Sequence, residues 1–331
     1  MVSINDVSKK AGVAKSTVSK VLNNYPFVSD ETRKKVEKAV KELRYVPNSV
    51  AVSLSKKNFN KAALIIGGES QFQYAAEICL QYLSSAFKQS KKYNMDVITL
   101  FSEQFSKMLR EDIINFFRAE HINCIILYGY SQVNKYLCEA LNSDGFYIVM
   151  VDADFYSDRV SSVSINHKKA QYEVAKKTIE ENDIHNIILY LAGKKDDNPI
   201  MLAKLKAMEE LRKELGFQLI VKYTNYSEKK ARELVLKYGK DAHIIICAND
   251  IMAIGSVFAL TEMDIFRPVC GFDGILLTGY TQVAVNTVKQ AYSEMSIQAF
   301  HELNRLLEGK LGRHKEMHYE VTTIRYMDII R

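Results

Sequence analysis

The spacing of apolar residues changes character near residue 60. Before that point it is helical. Ile4, Val7 and Ala11 fall at i, i+3 and i+7, so one face of a helix is buried while Asn5, Asp6, Ser8, Lys9 and Lys10 lie outside it. Gly12 ends this helix because glycine takes the left-handed conformation that a sharp reversal needs, and Val13 plugs the junction behind it. A second helix is predicted from about Lys15 to Asn23, with Val18, Val21 and Leu22 inward and Lys15, Ser16, Thr17, Ser19 and Lys20 outward. Short hydroxyls and long cations are the chemistry of phosphate anchoring and base-edge contact, so this reads as a helix-turn-helix. The plainer alternative is a helical hairpin with a solvated basic face. Ser29 is the expected N-cap of a third helix, which buries Val36, Ala39, Val40 and Leu43 and stops at the proline in residues 45–48. Residues 49–57 allow only one or two helical turns, too few to hold in water without support.

Beyond residue 60 the pattern alternates. Apolar runs of buried-strand character occur at 62–67, 96–100, 124–128 and 147–151, with amphipathic segments near 74–92, 107–119 and 133–143 between them. The alternation then restarts, with strands at 160–165, 187–191, 219–222 and 244–248 and helices near 168–182, 201–215, 228–238 and 250–262. Strand and helix in repeated succession predict parallel sheets covered on both faces, here as two modules of similar size. In such folds a ligand sits beyond the carboxyl ends of the strands, so the cleft between the modules is the expected site.

Charge sharpens this division. The chain has 331 residues, 47% of them apolar and 25% charged, with a net charge of +6; residues 1–58 alone carry +7, which leaves the body at −1. A basic helix-turn-helix on a near-neutral body is the footprint of a nucleic-acid reader. The N-terminus shows no charged segment followed by an apolar run, so a cytoplasmic protein without an export signal is expected. Cys79, Cys124, Cys138, Cys247 and Cys270 form no CxxC pair and read as reduced thiols. His314 and His318 have helical spacing but no third ligand nearby, and neither metal nor cofactor is expected. No phosphate loop, dinucleotide fingerprint or nucleophile elbow occurs, which argues against an α/β enzyme.

The motifs GVAKSTVSKVLN (12–23), VSDETRKKV (28–36) and YVPNSVAVSL (45–54), followed by ANDIMAIG (248–255), GFDG (271–274) and NTVKQ (286–290), closely resemble the LacI/GalR transcriptional regulators. The resemblance spans the chain and implies an α/β fold class: a three-helix helix-turn-helix headpiece (1–47), a hinge helix (48–58), and an effector-binding and dimerisation domain (59–331). That domain would consist of two doubly wound, periplasmic-binding-protein-like subdomains, one of about 62–160 and 291–322, the other of about 161–290 and 323–331. The resemblance implies a homodimer on pseudo-palindromic double-stranded operator DNA. In it Lys15, Ser16 and Lys20 would read bases, Thr17, Ser19 and Asn23 would hold phosphates, Leu54 would wedge into the minor groove, and Ala51 would face it. No leucine-repeat tail follows, so a dimer is expected rather than a tetramer.

For the cleft the resemblance implies Ser70, Tyr74, Asp152, Lys204, Asn249, Asp273 and Tyr292 as effector residues. The effector would be a sugar, a sugar derivative or a nucleoside. Two departures stand out. Lys204 replaces an arginine that would clasp a ligand bidentately, and the segment leading into Gly271 is short and lacks the usual prolines after it. These leave open a protein corepressor on the outer face near residues 293–310. Asp152 and Asp273 also admit a plain role as helix caps. A transport solute-binding protein has the same body but should carry an export signal and no basic headpiece.

Overall fold

The computed structural model describes residues 4–22, 28–43, 61–67, 72–183, 186–195, 198–281 and 283–326. The chain forms two units, Met1–Phe59 and Asn60–Arg331. In the first, α1 (Ile4–Ala11), α2 (Lys15–Leu22) and α3 (Asp30–Leu43) close on Val7, Val18, Val21, Val36 and Ala39. Gly12 takes φ +65°, and the Val13 amide behind it donates to the Ser8 carbonyl at 3.2 Å. Ser29 caps α3 through the Thr32 amide, and Lys10 pairs with Glu42 at 2.8 Å across the bundle. Residues 45–60, which include the expected hinge helix with Ala51 and Leu54, lie outside the described residues, as does Asn23.

The second unit contains two six-stranded sheets. The first takes β1 (Lys61–Ile66), β2 (Asp96–Phe101), β3 (Ile122–Tyr128), β4 (Tyr147–Val151) and β5 (Val160–Ser164). It is covered by α4 (Phe72–Lys92), α5 (Arg110–Ala119) and α6 (Gln132–Asn142). After α7 (His167–Asn182), the second sheet takes β6 (Ile187–Ala192), β7 (Gln218–Tyr223), β8 (Ile244–Cys247), β9 (Val269–Cys270) and β10 (Val285–Gln290). Its helices are α8 (Pro199–Leu215), α9 (Glu228–Tyr238) and α10 (Asp250–Glu262). The chain then returns to the first sheet with α11 (Tyr292–Leu307) and β11 (His314–Glu316), and crosses back to the second with β12 (Tyr319–Ile324). Among the described residues every strand pairing is parallel except β10 with β12. The central strands are buried along nearly their whole length, which is why they read as continuous apolar runs.

Two expectations need correction. The resemblance puts the boundary at about residue 161, yet β5 pairs with β4 (Ile148 opposite Val160) and with β11, so the first crossing falls after Ser164. Likewise Tyr319–Ile324 pairs along its whole length with β10, so residues 319–322 belong to the second sheet. Both errors have one cause: crossover strands are short, and composition does not say which sheet supplies the neighbour. His314 and His318 share no helix; His314 opens β11, and its Nδ1 lies 2.9 Å from Ser162 Oγ.

At the crossings, Glu302 of α11 is fully buried and holds both guanidinium groups near it. It accepts from Arg313 Nη2 at 2.8 Å and Arg305 Nη1 at 2.9 Å, which keeps its carboxyl below the usual range despite burial. This pair ties α11 to the start of β11. The two cores meet the cleft through Tyr292, which packs in the first core, and Phe272, which packs in the second.

Candidate functional site

The headpiece presents α2 as its charged element. Val18 and Val21 are buried, which leaves Lys15, Ser16 and Lys20 exposed on the opposite face and Thr17 and Ser19 half-buried beside them. The structure therefore gathers the five described residues of the expected reading helix onto one element. Lys20→Ala is expected to cost operator binding about 1–3 kcal/mol and to relax base preference at one position per half-site. Electrophoretic mobility titrations on operator and random duplexes check this; equal losses on both would make Lys20 a phosphate contact only.

The second site is a cavity of about 430 Å³ between the two sheets. Asp152, Lys204, Asn249, Asp273 and Tyr292 all line it. Of the other expected residues, Ser70 and the side chain of Tyr74 lie outside those described. Asp152 follows β4 and Asp273 follows β9, which puts both carboxylates beyond the carboxyl ends of central strands. Neither is a helix cap. Asn166 caps α7, and Asn249 caps α10 by accepting the Met252 amide at 2.9 Å. Both aspartates instead hold positive φ, +60° at Asp152 and +124° at Asp273, a backbone strain that side-chain-bearing residues rarely carry.

The surrounding network aims these groups. Tyr82 from α4 donates to Asp152 Oδ2 at 3.1 Å, while His167 Nε2 lies 3.6 Å from Oδ1. On the opposite wall Gln290 Nε2 and the Tyr292 hydroxyl donate to Asp273 Oδ1 at 3.3 and 3.4 Å. Asp250, fully buried, accepts from Thr287 Oγ1 at 2.6 Å and from the Ile275 amide at 2.9 Å, and so fixes the loop that carries Asp273. Burial pushes the carboxyls of Asp250 and Asp273 upward, and it pushes the Lys204 ammonium and the His167 imidazole downward. Lys204 feels the three aspartates pulling it back towards the charged form.

Lys204 lines the cleft with its ammonium already engaged by the protein. Its Nζ donates to the Ala248 carbonyl at 2.8 Å and sits 3.2 Å from the centre of the Phe272 ring, and the residue is only 6% exposed. The cleft is also bridged away from the carboxylates. Glu77 of α4 accepts the Leu276 amide at 3.0 Å, and Ile78 packs on Ile251, Ile254 and Ile275. Sequence reading missed Tyr82, Asp250, His167 and Gln290. Asp250 lies within one motif already noted and Gln290 ends another, but nothing in a sequence marks a carboxylate at a helix start as buried.

A helix-turn-helix unit with a cationic outer face, together with a two-sheet body enclosing a polar cleft, is the architecture of a DNA-binding transcriptional regulator. Residues 3–48 match the family described as bacterial regulatory proteins, lacI family. Over its length it is similar to the HTH-type transcriptional repressor PurR of Erwinia tasmaniensis, 29% identical over 328 residues that cover 96% of this chain and 92% of PurR. Its fold is like that of the lac repressor dimer bound to operator and the anti-inducer ONPF, with TM-score 0.80, 21% identity and 98% of each chain covered. It is also like that of the transcriptional regulator CelR in complex with cellobiose, with TM-score 0.69, 19% identity, and 98% of this chain and 99% of CelR covered. Among the described residues no helix is long and apolar enough to cross a membrane.

Proposed function

We propose that this protein is a cytoplasmic repressor that binds operator DNA as a homodimer and is released from it, or fixed on it, by a small polyhydroxylated effector in the cleft. The observation that carries this reading is the convergence of Asp152 and Asp273 from opposite sheets on one cavity. A ligand that bridges them binds one arrangement of the sheets better than another, and only such a difference can change affinity at a distant DNA site. The relatives support the class: one is named a repressor, one is bound to operator as a dimer, one holds a disaccharide. A sugar or nucleoside suits the chemistry, since carboxylates accept from hydroxyls and Tyr82, Tyr128 and Tyr292 offer ring faces. A protein corepressor on the outer face of α11 is the second reading, supported by the tied-down Lys204. A thermal-shift screen of sugars, sugar derivatives and nucleosides, followed by operator titration with each hit, tests the proposal. A cleft ligand that leaves operator affinity unchanged would favour the corepressor.

The roles of Asn23, Ala51 and Leu54 belong to the same reading. An apolar wedge kinks DNA at a cost of about a few kcal/mol and is repaid in backbone contact. Leu54→Ala is expected to lower specific DNA affinity about tenfold and to reduce the DNA bend while leaving effector binding intact. A circular-permutation bending assay reads this directly, and an unchanged bend would make residues 49–57 a simple linker.

A further inference from the structure

The walls of the cleft are unbalanced in hydrogen-bonding terms. Several of its donors are spent on the protein itself: Tyr82 on Asp152, Tyr292 and Gln290 Nε2 on Asp273, and Tyr128 sharing a bond with Ser296, while Asn225, Ser227 and Asn249 line the side nearer the second sheet. Lys204, the one lysine or arginine among the described lining residues, gives a proton to Ala248 and rests on the Phe272 ring. Its acceptors are left over. Asp152 Oδ1 and Gln290 Oε1 are buried with no hydrogen-bond partner, and Gln290 is only 6% exposed. His167, 9% exposed, lines the same cavity, its Nε2 3.6 Å from that Asp152 Oδ1 and its Nδ1 without a hydrogen-bond partner. Charge runs the same way, because Asp152, Asp250 and Asp273 surround a single ammonium.

A ligand that completes this site brings donors and positive charge. We propose that the cleft selects an amine-bearing polyol, such as a hexosamine, bound as its ammonium form between Asp152 and Asp273, and that it excludes sugar phosphates and other anions. An ammonium is all donor, with three protons and no lone pair, whereas a phosphate is all acceptor at neutral pH and would meet two carboxylates with no free cation to hold it. A neutral sugar supplies hydroxyl donors but no positive charge to set against Asp152 and Asp273. The raised carboxyl of Asp273 fits this, since a bound cation stabilises its ionised form.

This inference rests on the cleft being the effector site, and the test separates the two. Full-length protein is titrated by calorimetry with matched series in the gluco, galacto and manno configurations: free 2-amino sugars, their N-acetyl derivatives, the parent hexoses and the hexose 6-phosphates. A free amine in one configuration is expected to bind at least tenfold more tightly than its acetylated and parent counterparts, with no binding of phosphates. Asp273→Asn and Asp152→Asn, each checked for cooperative unfolding, are expected to bring that ratio close to one. Tightest binding by a phosphate, or equal binding by amine and parent hexose, overturns the amine preference while leaving the cleft as the effector site if Asp273→Asn abolishes that binding. Absence of binding in all four series overturns both.

Discussion

Asp273→Asn is expected to weaken the effector by about 100-fold and, at effector concentrations that saturate the wild type, to abolish the change in operator affinity. The carboxylate stands at the end of β9, turned into the cleft by its positive φ and steadied by Gln290 and Tyr292. Exchanging it for an amide removes a charged acceptor and places a donor against ligand donors. Loss of a charge-assisted bond with a buried partner left unmet costs about 3 kcal/mol, hence the expected factor. The same change should stabilise the ligand-free protein. Burial raises the Asp273 carboxyl, so the folded state holds its proton where the unfolded state has released it. The cost of ionising it therefore appears as pH climbs above the ordinary carboxylate range and is absent below it. Melting temperatures should thus show Asp273→Asn gaining on the wild type between pH 5 and pH 8, in roughly that window. A mutant that responds at wild-type effector concentrations would remove Asp273 from the site.

Gly274→Ala is expected to cost about 3 kcal/mol or more and to take effector binding with it. Gly274 holds φ +73°, and a Cβ built there would lie 2.4 Å from the Cα of Lys289, a backbone atom of β10 that cannot swing aside. Left-handed strain and overpacking add, each about 1–3 kcal/mol. The Gly274 amide also donates to Thr287 Oγ1 at 3.1 Å, and Thr287 in turn donates to Asp250, so any shift there moves the loop that carries Asp273. Urea unfolding should show a lower midpoint, and calorimetry should show lost binding even at temperatures where the variant is folded. Wild-type stability in this variant would mean that β10 yields more easily than its pairing with β9 and β12 implies.

Strand and helix alternation is enough to predict parallel sheets, because a strand buried on both faces has to be apolar throughout. The helix-turn-helix is legible for a related reason: Val7, Val18 and Val21 leave only one way for short helices to bury a face. What pattern does not carry is pairing. The assignment of β5 and of residues 319–322 depends on neighbours distant in sequence, and no local period encodes them. The cleft was legible as residue types but not as bonding states. Lys204 reads as a free cation in sequence, and only the approach of the Ala248 carbonyl and the Phe272 ring shows it is engaged. Asp250 stands in the 248–255 motif with nothing to mark it, yet it is the fully buried anchor of the Asp273 loop.

The order in which the chain visits its sheets bears on how the protein is made. The headpiece core draws on residues 7 to 43 alone, so it can fold as soon as that stretch leaves the ribosome. The first sheet cannot. Its edge strand β11 and its covering helix α11 lie some 150 residues downstream of β5, and the second sheet waits for β12. At about 5–20 residues per second, a nascent chain therefore carries a finished helix-turn-helix for roughly ten to fifty seconds before either sheet of the body is complete. During that interval the cleft does not yet exist, so nothing bound there can act on the headpiece. Pulse proteolysis of stalled ribosome complexes would resolve the two stages as an early protected fragment of about five kilodaltons and a late protected body.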